Sequence, residues 1–336
     1  MICDLNLCTG CGACENICPK QCIQLDEDAF GVVYPVIDLT ACIQCDLCKR
    51  VCPQISKVKS NAPQTCYAAY LSNHQDRLDS ASGGVAWLLY KRFLTQYDNA
   101  MVVVVESEAG GETLFSAVTE ISQIEKYRGS KYVQASTQKI YLDIAQKLTE
   151  DGSVLFVGTP CQVAALYSFL KLKKIKTDNL YTVDLLCHGV SPQRYFKEQV
   201  NYLKTKYHFD SIQKISFRSN RKFQNYHFVI EATRKEKKIT YNRYGRENPY
   251  FSGFLKGITL RESCYHCQYA ADVRVGDLTI GDFIGLTEQK NSPPFLGNKN
   301  NASLVLCNTV QGIQLWDDVK DSLNFYERPF QEAYDG

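Results

Sequence analysis

The chain has 336 residues, 45% of them hydrophobic, enough for one large domain or two and too apolar for a mainly disordered chain. Its 38 basic and 36 acidic residues leave a net charge of +2, too small to argue for binding to nucleic acid or a membrane surface. Sixteen cysteines, with no signal-peptide core behind the opening "MICDLNLC", point to metal or redox chemistry in a cytoplasmic protein and away from a disulfide framework.

Ten cysteines precede residue 53 and six are spread over the rest, so composition predicts a boundary between a head, 1–58, and a body, 59–336. The first cysteine run, "CTGCGACENICP", holds Cys8, Cys11, Cys14 and Cys18 before Pro19. The second, "CIQCDLCKRVCP", holds Cys42, Cys45, Cys48 and Cys52 before Pro53. Both follow the bacterial ferredoxin spacing, in which three thiolates wrap one face of a cubane and the fourth serves the other cluster. The expected ligand sets are therefore Cys8, Cys11, Cys14 and Cys52 for one 4Fe–4S cluster, and Cys42, Cys45, Cys48 and Cys18 for a second. Gly10 and Gly12 let the backbone approach the sulfides and donate N–H groups to them. Two four-cysteine zinc sites are the alternative, disfavoured by two intact runs that each end in Cys-Pro. Cys3 and Cys22 fall outside the pattern and read as small buried residues. The polar stretch "SKVKSNAPQ", 56–64, reads as a linker.

From Thr65 the chain alternates strands and helices, in parts 65–150 and 151–336. "TCYAAYLS" and "AMVVVVES" are strands around a helix that starts near Gly83-Gly84, and "AMVVVV" is far too short to span a membrane. "STQKIYLDIAQKLTEDG" is a helix with Ser136 as its cap. In "SVLFVGTPCQVAAL" a buried strand meets Gly158, then a Thr159-Pro160 helix start, which puts Cys161 in a first turn where free N–H groups favour a thiolate. "LYTVDLLC" is the next strand, and Ser191-Pro192 opens the next helix in the same way. The alternation predicts an α/β (α+β) body with parallel strands covered by helices. Three strands follow after residue 210, within a stretch from Lys214 to Arg246 that carries ten basic residues (214, 218, 221, 222, 234, 235, 237, 238, 243, 246). That stretch is either a solvated hairpin face or a landing site for an anionic ligand or partner.

Cys161 and Cys187 end successive strands. If those strands are parallel neighbours, both thiols emerge at the carboxyl edge of the sheet, where α/β ligand sites gather. "CYHC" adds Cys264 and Cys267 at ligand spacing. Three readings stay open for these four: a third 4Fe–4S cluster, a redox disulfide or active thiol, or plain burial. Cys66 and Cys307 sit inside apolar strand patterns and read as buried. His188 and His266 flank the thiols as candidate proton donors or as hydrogen-bonding supports.

The motifs "RGSKYVQ", "VGTPCQVAAL", "DLLCHG", "CYHCQYA" and "GDLTIGDFIG", in this order behind a double ferredoxin run, resemble the coenzyme F420 hydrogenase/dehydrogenase beta-subunit family over nearly the whole chain. The resemblance implies an iron–sulfur flavoprotein whose mixed-sheet α/β body binds FAD, exchanges a hydride with a small organic substrate and passes single electrons to or from a redox partner such as ferredoxin. Bacterial members with such a head are associated with polysaccharide synthesis. Candidate FAD contacts are Ser82, Gly83 and Gly84, the group Gly129, Ser130 and Lys131, and Gly158, Thr159 and Gln162. No Rossmann glycine fingerprint follows a strand. A non-catalytic electron-transfer subunit is the alternative function. Homo-oligomerisation, and whether the chain continues past "FQEAYDG", are left open.

Overall fold

Each cysteine run folds as a tight loop leading into a short helix, α1 (Ala13–Ile17) and α2 (Leu47–Arg50), around an antiparallel hairpin of β1 (Ile23–Glu27) and β2 (Val33–Ile37). The computed structural model describes residues 2–218, 227–286 and 302–335. In the body, β3 (Thr65–Leu71), α3 (His74–Leu78), α4 (Val85–Gln96), β4 (Ala100–Ser107) and β5 (Thr113–Val118) are followed by α5 (Ile140–Thr149), β6 (Ser153–Gly158), α6 (Pro160–Lys173), β7 (Leu180–Leu185) and α7 (Gln193–Tyr207). Then come β8 (Ser211–Ser216), β9 (His227–Arg234), β10 (Lys237–Tyr244), α8 (Pro249–Leu255), α9 (Glu262–Tyr265), β11 (Leu278–Asp282), β12 (Ser303–Cys307), α10 (Val310–Asp317), β13 (Leu323–Glu327) and α11 (Phe330–Tyr334).

The main sheet has eight strands in the order β13-β3-β12-β11-β7-β6-β4-β5. Its centre, β4-β6-β7-β11, is parallel, so these four carboxyl ends share one edge. β4 and β6 are buried on both faces, which explains their unbroken apolar runs. Met101, Val103, Val154 and Phe156 point to one face, while Val102, Val104, Leu155 and Val157 point to the other with α4 and α10. The first face carries α5 and α6, and its core continues into the head through Ala13, Ile17, Ile23 and Val51. α6 is therefore apolar nearly all round: the sheet covers one side and α1 lies against another. β8, β9 and β10 form a separate antiparallel sheet over a core with α7 and α8.

Three local expectations give way to tertiary contacts. Ser136 does not cap α5; its backbone bridges to β5, with its N–H donating to Thr113 O at 2.9 Å, and the helix starts at Ile140. The Ser191 hydroxyl pairs with Thr259 at 2.8 Å, so α7 opens after Pro192 without a side-chain cap. The stretch read as a linker is tied down where Asn61 and Arg274 exchange backbone hydrogen bonds of 2.8 Å. Of the basic stretch, Arg221 and Lys222 lie outside the described residues.

Candidate metal centres

Five thiols line one cavity of the head: Cys3, Cys8, Cys11, Cys14 and Cys52. Cys18, Cys22, Cys42, Cys45 and Cys48 line another. Cys8, Cys11, Cys14 and Cys52 are here termed the inner set, and Cys18, Cys42, Cys45 and Cys48 the outer set. Among the described residues, no three His, Cys, Asp or Glu side chains converge as the ligands of a single ion do. A cubane binds its thiolates at four separate irons, so its ligands stand around a volume and not around one point.

The two loops have one backbone shape and opposite surroundings. Gly10 and Gly12 have φ of 61° and 75°, and the matching Gln44 and Asp46 have 53° and 55°. Positive φ alone thus does not demand glycine here. Contact does: a Cβ on Gly10 would lie 2.7 Å from Gln134 Nε2, and one on Gly12 would lie 2.0 Å from Thr137 Oγ1. The inner loop is pressed against the body, whereas Cys45 in the outer loop is exposed beside exposed Leu39 and Ile43. Gly12→Ala is expected to cost about 1–3 kcal/mol through overpacking, read as a lowered urea midpoint. Asp46→Ala, on the solvent side, should stay within about 0.5 kcal/mol. Equal effects would contradict this asymmetry.

The body also donates to the carbonyls of the inner loop. Arg261 Nη2 reaches Cys8 O at 2.8 Å, and Gln134 Nε2 reaches Thr9 O at 3.2 Å. Thr137 Oγ1 and Tyr141 Oη both reach Cys11 O, at 3.2 and 2.9 Å. With its carbonyls drawn outward, the loop turns amides of Gly10 and Ala13 toward the thiols of Cys8 and Cys11. Each set has a fifth thiol beside it. Cys22, buried, lies 3.4 Å from Cys18. Cys3 touches both Cys8 and Cys52; that contact, with the Gly10 amide and Arg261, holds the Cys8 thiol down at about 6. Cys66 and Cys307 are buried in β3 and β12, as their apolar surroundings suggest.

In the body, β6 and β7 pair in parallel with Gly158 opposite Asp184, so Cys161 and Cys187 leave the same edge. Thr159 starts α6 with its N–H and Oγ1 donating to Gln162 Oε1 at 3.0 and 2.9 Å. Gly189, with φ of 128°, brings the Cys187 loop to within 3.3 Å (from its would-be Cβ) of Cys264 Cβ. Cys161 and Cys187 lie within electrostatic range of each other, and both feel Cys267. The four thiols thus lie at one edge of the sheet, and they are here termed the third set. Burial pushes the Cys161 thiol well above its ordinary range. The helix start therefore does not produce a free thiolate there, and a metal would be needed to ionise it.

Sequence reasoning missed the residues that hold this set. Buried Arg274 and Asp184 form an ion pair of 2.8 Å, and Arg274 Nη2 also donates to Leu185 O at 3.1 Å. The pair joins the end of β7, before Cys187, to the segment after Cys267. Two tyrosines connect the inner and third sets. Tyr141 is fully buried, with its hydroxyl on Cys11 O and 3.4 Å from Gln162 O; Tyr269 Oη donates to Pro53 O at 3.1 Å. Cys11 and Cys161 lie within electrostatic range across this seam.

The residues suggested for a flavin are mostly engaged within the fold. Ser82 Oγ donates to Ala302 O at 3.0 Å, and a Cβ on Gly83 would meet Ala69 O at 2.1 Å. Gly84, with φ of 87°, begins α4 against Leu71. Lys131 Nζ donates to three loop carbonyls, those of Tyr127, Arg128 and Gly129. Ser130 is exposed, and Gly129 has open space where a Cβ would stand. Packing and caps thus engage Ser82, Gly83, Gly84, Lys131, Thr159 and Gln162, while Gly129 and Ser130 stay open. His188 is exposed, edge-on to Phe254, and His266 is exposed, 3.7 Å from Glu262.

Two cysteine loops with ferredoxin spacing on a mixed α/β body mark an iron–sulfur protein. The 4Fe-4S dicluster domain pattern matches residues 7–55. Residues 151–333 match the family described as the C terminus of the coenzyme F420 hydrogenase/dehydrogenase beta subunit, and the chain belongs to that family. No curated protein matches it. Among solved structures it is similar to a chain of the F420-reducing [NiFe] hydrogenase complex from Methanosarcina barkeri, at 18% identity over 81% of this chain and 84% of that one, with a TM-score of 0.50. At that identity the likeness concerns the fold alone. No helix among the described residues is long and apolar enough to cross a membrane.

Proposed function

We propose that the chain is an iron–sulfur electron-transfer subunit or module of an oxidoreductase. Electrons enter at the exposed outer cluster, held by Cys18, Cys42, Cys45 and Cys48, and pass to the inner cluster of Cys8, Cys11, Cys14 and Cys52. From there they reach a third cluster held by Cys161, Cys187, Cys264 and Cys267. The observation that carries this reading is the seam where Tyr141 Oη reaches both Cys11 O and the O of Gln162, next to Cys161, and Tyr269 Oη reaches Pro53 O, next to Cys52. A redox partner protein delivers electrons at the Cys45 side.

Anaerobic iron and sulfide quantification tests the relay. About twelve irons per chain are expected, and Cys161→Ser should lose about four while sparing the head. About eight irons in the unmodified chain would leave the third set without a cluster. A flavin enzyme is the second reading, favoured by family membership and by the open space at Gly129. FAD would there join an organic substrate, polysaccharide synthesis being its expected setting, to one-electron carriers. Flavin that co-purifies stoichiometrically supports that reading, and flavin-free protein with full iron supports the relay alone.

A further inference from the structure

Arg261 is the largest side chain in the fully buried class, at 1% exposure. Its partners are neutral. Nη1 donates to Gln134 Oε1 at 3.0 Å, and Nη2 donates to Cys8 O at 2.8 Å and Val33 O at 3.0 Å. The guanidinium lies 5.2 Å from the Tyr34 ring centroid, and Nε finds no acceptor among the described residues. No carboxylate among the described residues pairs with it; the adjacent Glu262 is exposed and faces His266. A buried cation without an anion is costly enough that proteins rarely keep one.

The missing negative charge has an address. Arg261 precedes α9, three residues before Cys264, and grips the carbonyl of Cys8; its Nη1 would lie 3.0 Å from a Cβ on Gly10. It stands between the inner set and a thiol of the third set. A cubane with four thiolates is a net anion, and it gains one more negative charge on reduction. A fixed cation beside it stabilises the reduced form over the oxidised form, because the attraction grows with the charge.

We propose that Arg261 is the resident counter-charge of the inner iron–sulfur cluster and raises its reduction potential, a positioning and tuning role that rests on the ligand sets proposed above. One electron enters the cluster on reduction and leaves on oxidation, with no bond made or broken in the protein.

The test is a redox titration of the iron-replete full chain, followed by electron paramagnetic resonance, for the unmodified protein, Arg261→Gln and Arg261→Lys. Gln keeps hydrogen-bonding ability without charge. Its inner-cluster reduction equilibrium is expected to move about tenfold toward the oxidised form, equivalent to about 59 mV for a one-electron couple. Lys should hold the potential near that of the unmodified protein while protonated. If Gln does not fold, Lys alone decides: its potential should fall with rising pH more steeply than that of the unmodified protein, because a buried lysine loses its charge. An iron-replete Gln variant at the original potential, or a Lys variant with the unmodified protein's pH dependence, overturns the counter-charge role and leaves the relay standing. An unmodified chain without iron–sulfur signal removes the relay and this role together.

Discussion

Arg274→Met is expected to destabilise the protein by about 3–5 kcal/mol, because it leaves a carboxylate buried without its cation. Asp184 is fully buried. Its Oδ1 accepts from Arg274 Nη2 at 2.8 Å and from Thr279 Oγ1 at 2.6 Å, and its Oδ2 accepts from the amides of Val275 and Gly276 at 3.1 and 3.0 Å. Arg274 adds the Leu185 carbonyl and, through its backbone, Asn61. Losing the side chain loosens three segments at once: the end of β7, the Cys267 loop through Ala271 O, and the start of β11 through Thr279, while the backbone pairing with Asn61 is kept. Urea denaturation measures the loss, and iron content should fall because Cys187 and Cys267 are no longer held together. Adding Asp184→Leu to Arg274→Met should recover part of the stability, since the stranded charge is then gone. A single-variant loss under about 1 kcal/mol would show that the pair is not what holds this region.

The second large effect concerns iron. Removing it with an oxidant and a chelator is expected to destabilise the chain by at least about 5 kcal/mol, on the order of 10 °C in Tm. The described part of the head has few buried aliphatic side chains, Ile2, Ala13, Ile17, Ile23 and Val51, arranged around ten thiols. A module of this size is marginal without cross-links or metal. Its α1 also covers part of α6, so loss of the head would expose the apolar outer side of that helix. Dye binding to exposed apolar surface should rise, and proteolysis should begin within residues 1–58. An iron-free chain with unchanged Tm and a protease-resistant head would mean that side-chain packing, not metal, holds the module.

Local pattern carried the elements and the two cysteine loops. The spacing of two runs marked Cys8, Cys11, Cys14 and Cys52 as neighbours of one cavity and Cys18, Cys42, Cys45 and Cys48 as neighbours of another, though not Cys3 and Cys22 beside them, and "SVLFVG" followed by Thr159-Pro160 marked a strand and a capped helix where both occur. These are short-range properties: ligand spacing within a loop, alternation within a strand, a donor shortage at a helix start. One further signal was present and overlooked. The first loop has Gly10 and Gly12 where the second has Gln44 and Asp46, and this difference marks the loop that faces the body. α6 carried a similar sign, apolar on more sides than a surface helix should be.

Other features had no local signature. The small residues at Ser82-Gly83-Gly84 fit either a phosphate or a close strand, and only the position of Ala69 and Ser303 decides for the strand. Arg261 is one of 38 basic residues, and its distinction is burial beside Cys8, which is 253 positions away in the chain. Arg274 and Asp184 look like ordinary surface charges until β7 and β11 pair and enclose them. The two cysteine runs were thus written in the sequence, because ligands of one cluster recur at fixed short spacings. Which run faces inward, where Arg261 is buried and what lies between Cys11 and Cys161 were decided by the tertiary fold, because those contacts join residues that no sequence period brings together.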